Sequence, residues 1–179
     1  MTTIGISLEI PEPYGPELRS RRASYGDPQA EFVPTHVTLL PPTEVDGEVL
    51  PEIEEHLAKV AGTTPPFRMR LGGTGTFLPI SSVAFVQITE GVEQCVALES
   101  KVRDGVLDRE LQFPYHPHVT VAHDLDEETL RFAMSDLADY QAEFGLDRFG
   151  LYEQCPEGTW RLLREFVFEG EEDGVPRGE

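Results

Sequence analysis

The chain is short of the residues that several functions need. Lysine occurs only at positions 59 and 101, and 14 basic residues face 33 acidic ones, for a formal charge of −19. So acidic a chain has too few Lys and Arg contacts to cover an extended polyanion, which argues against a broad nucleic-acid surface. A small anion in a local pocket is still allowed. Only two cysteines occur, Cys95 and Cys155, without CxxC spacing, so neither a zinc ribbon nor a disulfide framework is expected. No apolar run approaches the ~18 residues of a membrane span, and no basic leader precedes an apolar run at the start. The expectation is a cytoplasmic monomer that makes no membrane contact.

Three catalytic signatures are missing as well. There is no G-x-S-x-G nucleophile elbow and no H-E-x-x-H zinc helix. Gly72-Gly73-Thr74-Gly75-Thr76 is glycine-rich but lacks the lysine of a phosphate loop and is not followed by a helix. These glycines instead point to a bulge or a close backbone approach in an extended segment over residues 67–77.

What is present is a tripeptide seen twice, His36-Val37-Thr38 and His118-Val119-Thr120. Side chains alternate between the faces of a strand, so each copy sets an imidazole and a hydroxyl side by side and turns its valine away. Both copies recur at one offset, 82 residues, from 36 to 118 and from 38 to 120.

The surrounding pattern repeats too. Ile4, Ile6, Leu8 and Ile10 alternate as a half-buried strand over residues 3–10. A polar helix over 14–25 carries Arg19, Arg21 and Arg22, and the first His-Val-Thr strand, 35–40, runs up to Pro41-Pro42. Val49, Ile53, Leu57 and Val60 predict a helix over 48–61, and a strand over 82–89 follows. Val92, Val96, Leu98, Val102 and Val106 predict another helix over 92–107. After the second tripeptide, Asp126-Glu127-Glu128 opens a helix with acids at its N-terminus. Extended segments at 143–155 and 159–168 complete the series. Residues 1–169 read as one α+β domain made of two lobes, and 170–179 as a disordered acidic tail.

Two imidazoles and two hydroxyls converging on one cleft suit phosphate chemistry. One neutral ring accepts a proton, one charged ring donates, and the hydroxyls steady the oxygens on phosphorus. Neither a metal nor a protein nucleophile is needed. Two other readings stay open at this point. One is a zinc-dependent hydrolase using His116, His118 and His123, with neutral imidazole as ligand. The other is a nucleotide-binding module that does no chemistry.

Three stretches resemble the 2H phosphoesterase superfamily, in particular its 2'-5' RNA ligase and RNA 2',3'-cyclic phosphodiesterase branch. They are Thr35-His36-Val37-Thr38-Leu39, the turn Thr74-Gly75-Thr76-Phe77-Leu78-Pro79, and Phe113-Pro114-Tyr115-His116-Pro117-His118-Val119-Thr120. The resemblance implies a duplicated bilobal fold in which two antiparallel sheets flank a central cleft, with helices outside. It also implies that His36 and His118 are acid and base and that Thr38 and Thr120 hold phosphate, with no cofactor. A small nucleotide or an RNA end is then the substrate. Phe77 falls where the family places an aromatic near the cleft, so it is either a base-stacking residue or a core aromatic closing the turn. His123 stands where many relatives carry a basic residue, often arginine, and could contact phosphate when protonated.

Overall fold

Alternating Ile4, Ile6 and Leu8 build the first strand of the computed structural model, which describes residues 1–171. In chain order the elements are β1 (Thr2–Glu9), α1 (Tyr14–Ser24), β2 (His36–Val45), α2 (Leu50–Gly62), β3 (Phe67–Thr76) and β4 (Val83–Glu90). Then come α3 (Val92–Val102), β5 (Val119–His123), α4 (Glu127–Asp136), β6 (Gln141–Leu146), β7 (Arg148–Gln154) and β8 (Trp160–Val167).

All eight strands form one antiparallel sheet in the order β6-β3-β4-β5-β2-β1-β7-β8. It reads as two four-stranded halves, β5-β4-β3-β6 and β2-β1-β7-β8, joined where Val37 pairs with Val119. Each half is built on one strand-helix-strand-helix unit, β1-α1-β2-α2 or β4-α3-β5-α4. This is the expected duplicated α+β architecture, with the His-Val-Thr strands at its centre. Each helix between the strands of a unit reaches across the seam: α1 packs against β5 and α3 against β2. The helices thus cover the valine side, where Val37 and Val119 are fully buried. The histidine and threonine side is left uncovered. Burial of a valine stabilises by ~1.5–3 kcal/mol, so the pattern fixes the face as well as the strand.

Three local expectations are corrected. Pro41-Pro42 does not end β2, which continues to Val45. Beyond Val37 that strand has no partner on its β5 side, and bulges against β1 near Ile6 absorb the missing N–H donors. The segment 143–155 is two strands, because the chain leaves β3 at Leu146 and joins β1 through β7, with Asp147 between. The carbonyl of Asp147 accepts from Phe168 N–H at 2.7 Å, which pins that crossing. In α3 the buried stripe is Cys95, Leu98, Glu99 and Val102, while Val92 and Val96 face outward.

Two expectations hold in detail. Asp126 caps α4 by accepting from Thr129 N–H at 2.8 Å. The glycine-rich stretch in β3 has both a bulge, between Leu71 and Thr74, and a close approach, at Gly75. Of the expected tail, Gly170 is packed against the backbone of Thr63 and Thr64 and donates its N–H to Thr64. Residues 172–179 lie outside the described residues. No helix among the described residues is long and apolar enough to cross a membrane.

Candidate active site

β2 and β5 run antiparallel through the Val37–Val119 pair, so continuing that register sets His36 opposite Thr120 and Thr38 opposite His118. Four side chains meant for one face therefore meet across a single strand junction, where opposed Cβ atoms lie ~4.5–5.5 Å apart.

Both imidazoles are oriented by the same device. His36 Nδ1 lies 2.7 Å from the carbonyl oxygen of Pro34, and His118 Nδ1 lies 2.7 Å from that of His116. A carbonyl oxygen only accepts, so each Nδ1 carries the hydrogen and each neutral ring keeps its Nε2 lone pair free. Pro34 and His116 stand two residues before their histidines, so the tautomer is set within each loop that leads into a motif.

Burial pushes both histidines below the usual value of 6.5. For His36 the Pro34 carbonyl partly offsets burial, and the Arg22 charge adds to it. For His118 the His116 carbonyl offsets it, while the charges of His116 and His36 add to it. His118 therefore feels the charge of the other catalytic candidate, His36.

The threonines complete the set. The hydroxyls of Thr35, Thr64, Thr74 and Thr76 all donate to backbone carbonyls. Among the described residues, the Thr38 and Thr120 hydroxyls bond to no other side chain or backbone group, so they are free to donate to a ligand. Tyr115 Oη donates to the Thr38 carbonyl at 2.7 Å and ties the loop before His118 to β2.

Recesses open on both sides. One, of about 110 Å³, is lined by His36 and Thr38 with Gly5, Tyr152 and Trp160. The other, of about 500 Å³, is lined by Thr38 and His118 with Phe77, Phe113, Tyr115 and Arg109. Phe77 sits edge-on to His118, ring centroids 4.9 Å apart at 90°, and 4.7 Å from Phe85. It packs against the imidazole and also lines the larger recess.

His123 is not brought to this cluster. It lines neither recess; its N–H donates to Asp27 Oδ2 at 3.0 Å and its Nε2 lies 3.4 Å from Asp124 Oδ1. Nor do His116, His118 and His123 gather. No three His, Cys, Asp or Glu side chains among the described residues are placed to hold a metal ion.

Of the early arginines, Arg19 donates to backbone carbonyls and Arg21 pairs with Asp136. Arg22 goes inward. Its side chain is 9% exposed and pairs at 2.7 Å with Asp27, itself 0% exposed. Sequence reasoning passed over Asp27, Arg109 and Trp160. An Asp before Pro28, an Arg between Asp108 and Glu110, and a lone Trp in a late strand carry no spacing signal.

Residues 10–155 match the family model described as the 2'-5' RNA ligase superfamily. A protein of Oceanobacillus iheyensis named as a candidate phosphoesterase is 31% identical over 143 residues, 79% of this chain and 84% of that protein. The solved structure of E. coli LigT complexed with 3'-AMP has a TM-score of 0.65 at 20% identity, covering 93% of this chain and 98% of that one. A Thermus thermophilus protein of solved structure has a TM-score of 0.56 at 24% identity, covering 96% and 100%. At these identities the two structures speak for the fold.

Proposed function

The chain belongs to the 2'-5' RNA ligase superfamily of 2H phosphoesterases, and from that premise we propose that it hydrolyses a 2',3'-cyclic phosphate or a 2'-5' phosphodiester of a nucleotide or RNA end, without a metal ion. One neutral histidine takes a proton from water at Nε2 as the water oxygen bonds to phosphorus. The other, protonated, gives its Nε2 proton to the ribose oxygen as the P–O bond breaks. The Thr38 and Thr120 hydroxyls donate to the phosphoryl oxygens, where negative charge grows in the transition state. With a ribose 5'-hydroxyl in place of water as the attacking group, the same site ligates.

The observation that carries this reading is the matched locking of His36 and His118 through Nδ1, which leaves two Nε2 atoms free at one strand junction. A binding module has no need of two proton-transfer groups held in the same tautomer. The E. coli fold neighbour is described in complex with 3'-AMP, a nucleoside phosphate of a size suited to a cleft of about 500 Å³. Turnover of 2',3'-cyclic AMP and of a 2'-5' dinucleotide in the presence of EDTA tests the proposal. Activity abolished by the chelator and restored by zinc contradicts the metal-free mechanism.

A further inference from the structure

We propose that Arg109 binds a second, non-scissile phosphate of the substrate, so that the preferred ligand is a nucleoside carrying two phosphates. The inference rests on the phosphoesterase reading above, because it places this phosphate in the same cleft as His118.

The first observation is one of pairing. In a chain with 33 acidic residues, every described lysine and arginine except Arg109 is engaged with a carboxylate or a carbonyl. Arg109 makes no hydrogen bond, ion pair or ring contact among the described residues. This holds although Asp108 and Glu110 are its neighbours in the chain. Where acids are in such excess, the one guanidinium left open among the described residues stands out.

The second observation is its location. Arg109 is half-buried and lines the same cleft as Thr38 and His118. Arg103 shares that cleft, but Glu99 neutralises it at 2.7 Å and is itself 3% exposed. The remaining wall is largely aromatic, with Phe77, Phe113 and Tyr115. A flat apolar body such as a base fits those rings, and low-dielectric walls strengthen the attraction between a cation and an anion. The planar guanidinium offers a fork of donors that matches phosphate oxygens in pairs. An apolar cleft with a reaction site in one part and an uncompensated arginine in another suits a nucleotide with a phosphate away from the scissile one.

The second phosphate has two chemical sources, a terminal phosphomonoester at the 5' oxygen or the internucleotide phosphodiester of a longer chain. The test is calorimetric binding of adenosine 3'-phosphate, adenosine 3',5'-bisphosphate and adenylyl-(3'→5')-adenosine 3'-phosphate to the full chain. The bisphosphate is expected to bind the wild type about ten- to a hundredfold tighter than the monophosphate, the range for hydrogen bonds to a charged group. Arg109→Gln collapses that ratio towards one, and Arg109→Lys, which keeps the charge but not the fork, retains part of it. A matching gain for the dinucleotide identifies the internucleotide phosphate, and a gain confined to the bisphosphate identifies the terminal one. Equal binding of all three by the wild type, or a wild-type ratio in Arg109→Gln, overturns the proposal. Binding needs no turnover, so the outcomes separate: a chain that binds but does not hydrolyse 2',3'-cyclic AMP contradicts the phosphoesterase reading, whereas an unchanged ratio contradicts only the Arg109 site.

Discussion

Val37 and Val119 are direct partners where β2 meets β5, and this one antiparallel pair decides the composition of the site. Both valines are fully buried, so both tripeptides turn their His and Thr to the other face. Antiparallel register then crosses them, each histidine opposite the other motif's threonine. A slip of one residue would send the imidazoles into the core.

The pH dependence follows from burial of the two rings. Both His36 and His118 titrate below 6.5 in the free protein. The proposed mechanism needs one ring protonated and one neutral, a form that peaks between the two macroscopic constants of the pair. The kcat/KM profile is therefore expected to peak below pH 6.5 and decline above it. Bound phosphate favours the charged rings, so the kcat profile should lie at higher pH. Stability has the opposite sign. The unfolded chain binds protons more readily than the folded one, so this contribution is full above 6.5 and is lost as pH falls through the folded values. A kcat/KM optimum well above 6.5 contradicts the assignment.

The Asp27 carboxylate holds three donors from three places: Arg22 Nε at 2.7 Å, Gln29 N–H at 2.9 Å and His123 N–H at 3.0 Å. Asp27→Ala leaves a buried guanidinium unpaired, for an expected loss of ~3–5 kcal/mol in urea unfolding. Arg68→Ala, which breaks a pair whose side chains are 60% and 43% exposed, should cost ~0–1 kcal/mol. Arg22→Met removes a charge that lowers His36, so the His36 titration followed by NMR should move up. Similar losses for Asp27→Ala and Arg68→Ala would show that the buried pair is not structural.

Gly75 is pressed against an aromatic ring. A Cβ there would lie 2.7 and 2.8 Å from Phe85 ring atoms, and Phe85 is 5.3 Å from the His118 ring. Gly75→Ala must displace Phe85 and with it the brace on His118. Small misplacements of reacting groups cost up to ~10²-fold, so kcat should fall by about ten- to a hundredfold. Gly145→Ala, where nothing lies within 4 Å, is expected to keep its activity. Equal rates for the two variants would remove Phe85 and Phe77 from the account of His118.

The sequence made the centre of the molecule legible and its edges much less so. The period of two placed His36, Thr38, His118 and Thr120 on one face because Val37 and Val119 have nowhere to go but the core. The seam itself could not be read, since strand order depends on contacts far apart in sequence. Pro41-Pro42 looked like a stop because nothing in the chain says that β2 has become an edge there. Val92 and Val96 looked like core because a helix stripe offers two faces, and the buried one here includes Glu99, paired with Arg103. Arg109 was invisible for a related reason: its distinction is a missing partner, which only the folded chain reveals.

The central claim is that His36 and His118 act as one acid–base pair on phosphorus. The direct measurement is steady-state turnover of 2',3'-cyclic AMP by wild type, His36→Ala and His118→Ala, each shown folded by circular dichroism. The account predicts a loss of ~10²–10⁴ in kcat for either single variant. For the double variant it predicts little further loss, as expected of groups that work as a unit. Folded single variants that turn over at the wild-type rate would contradict it.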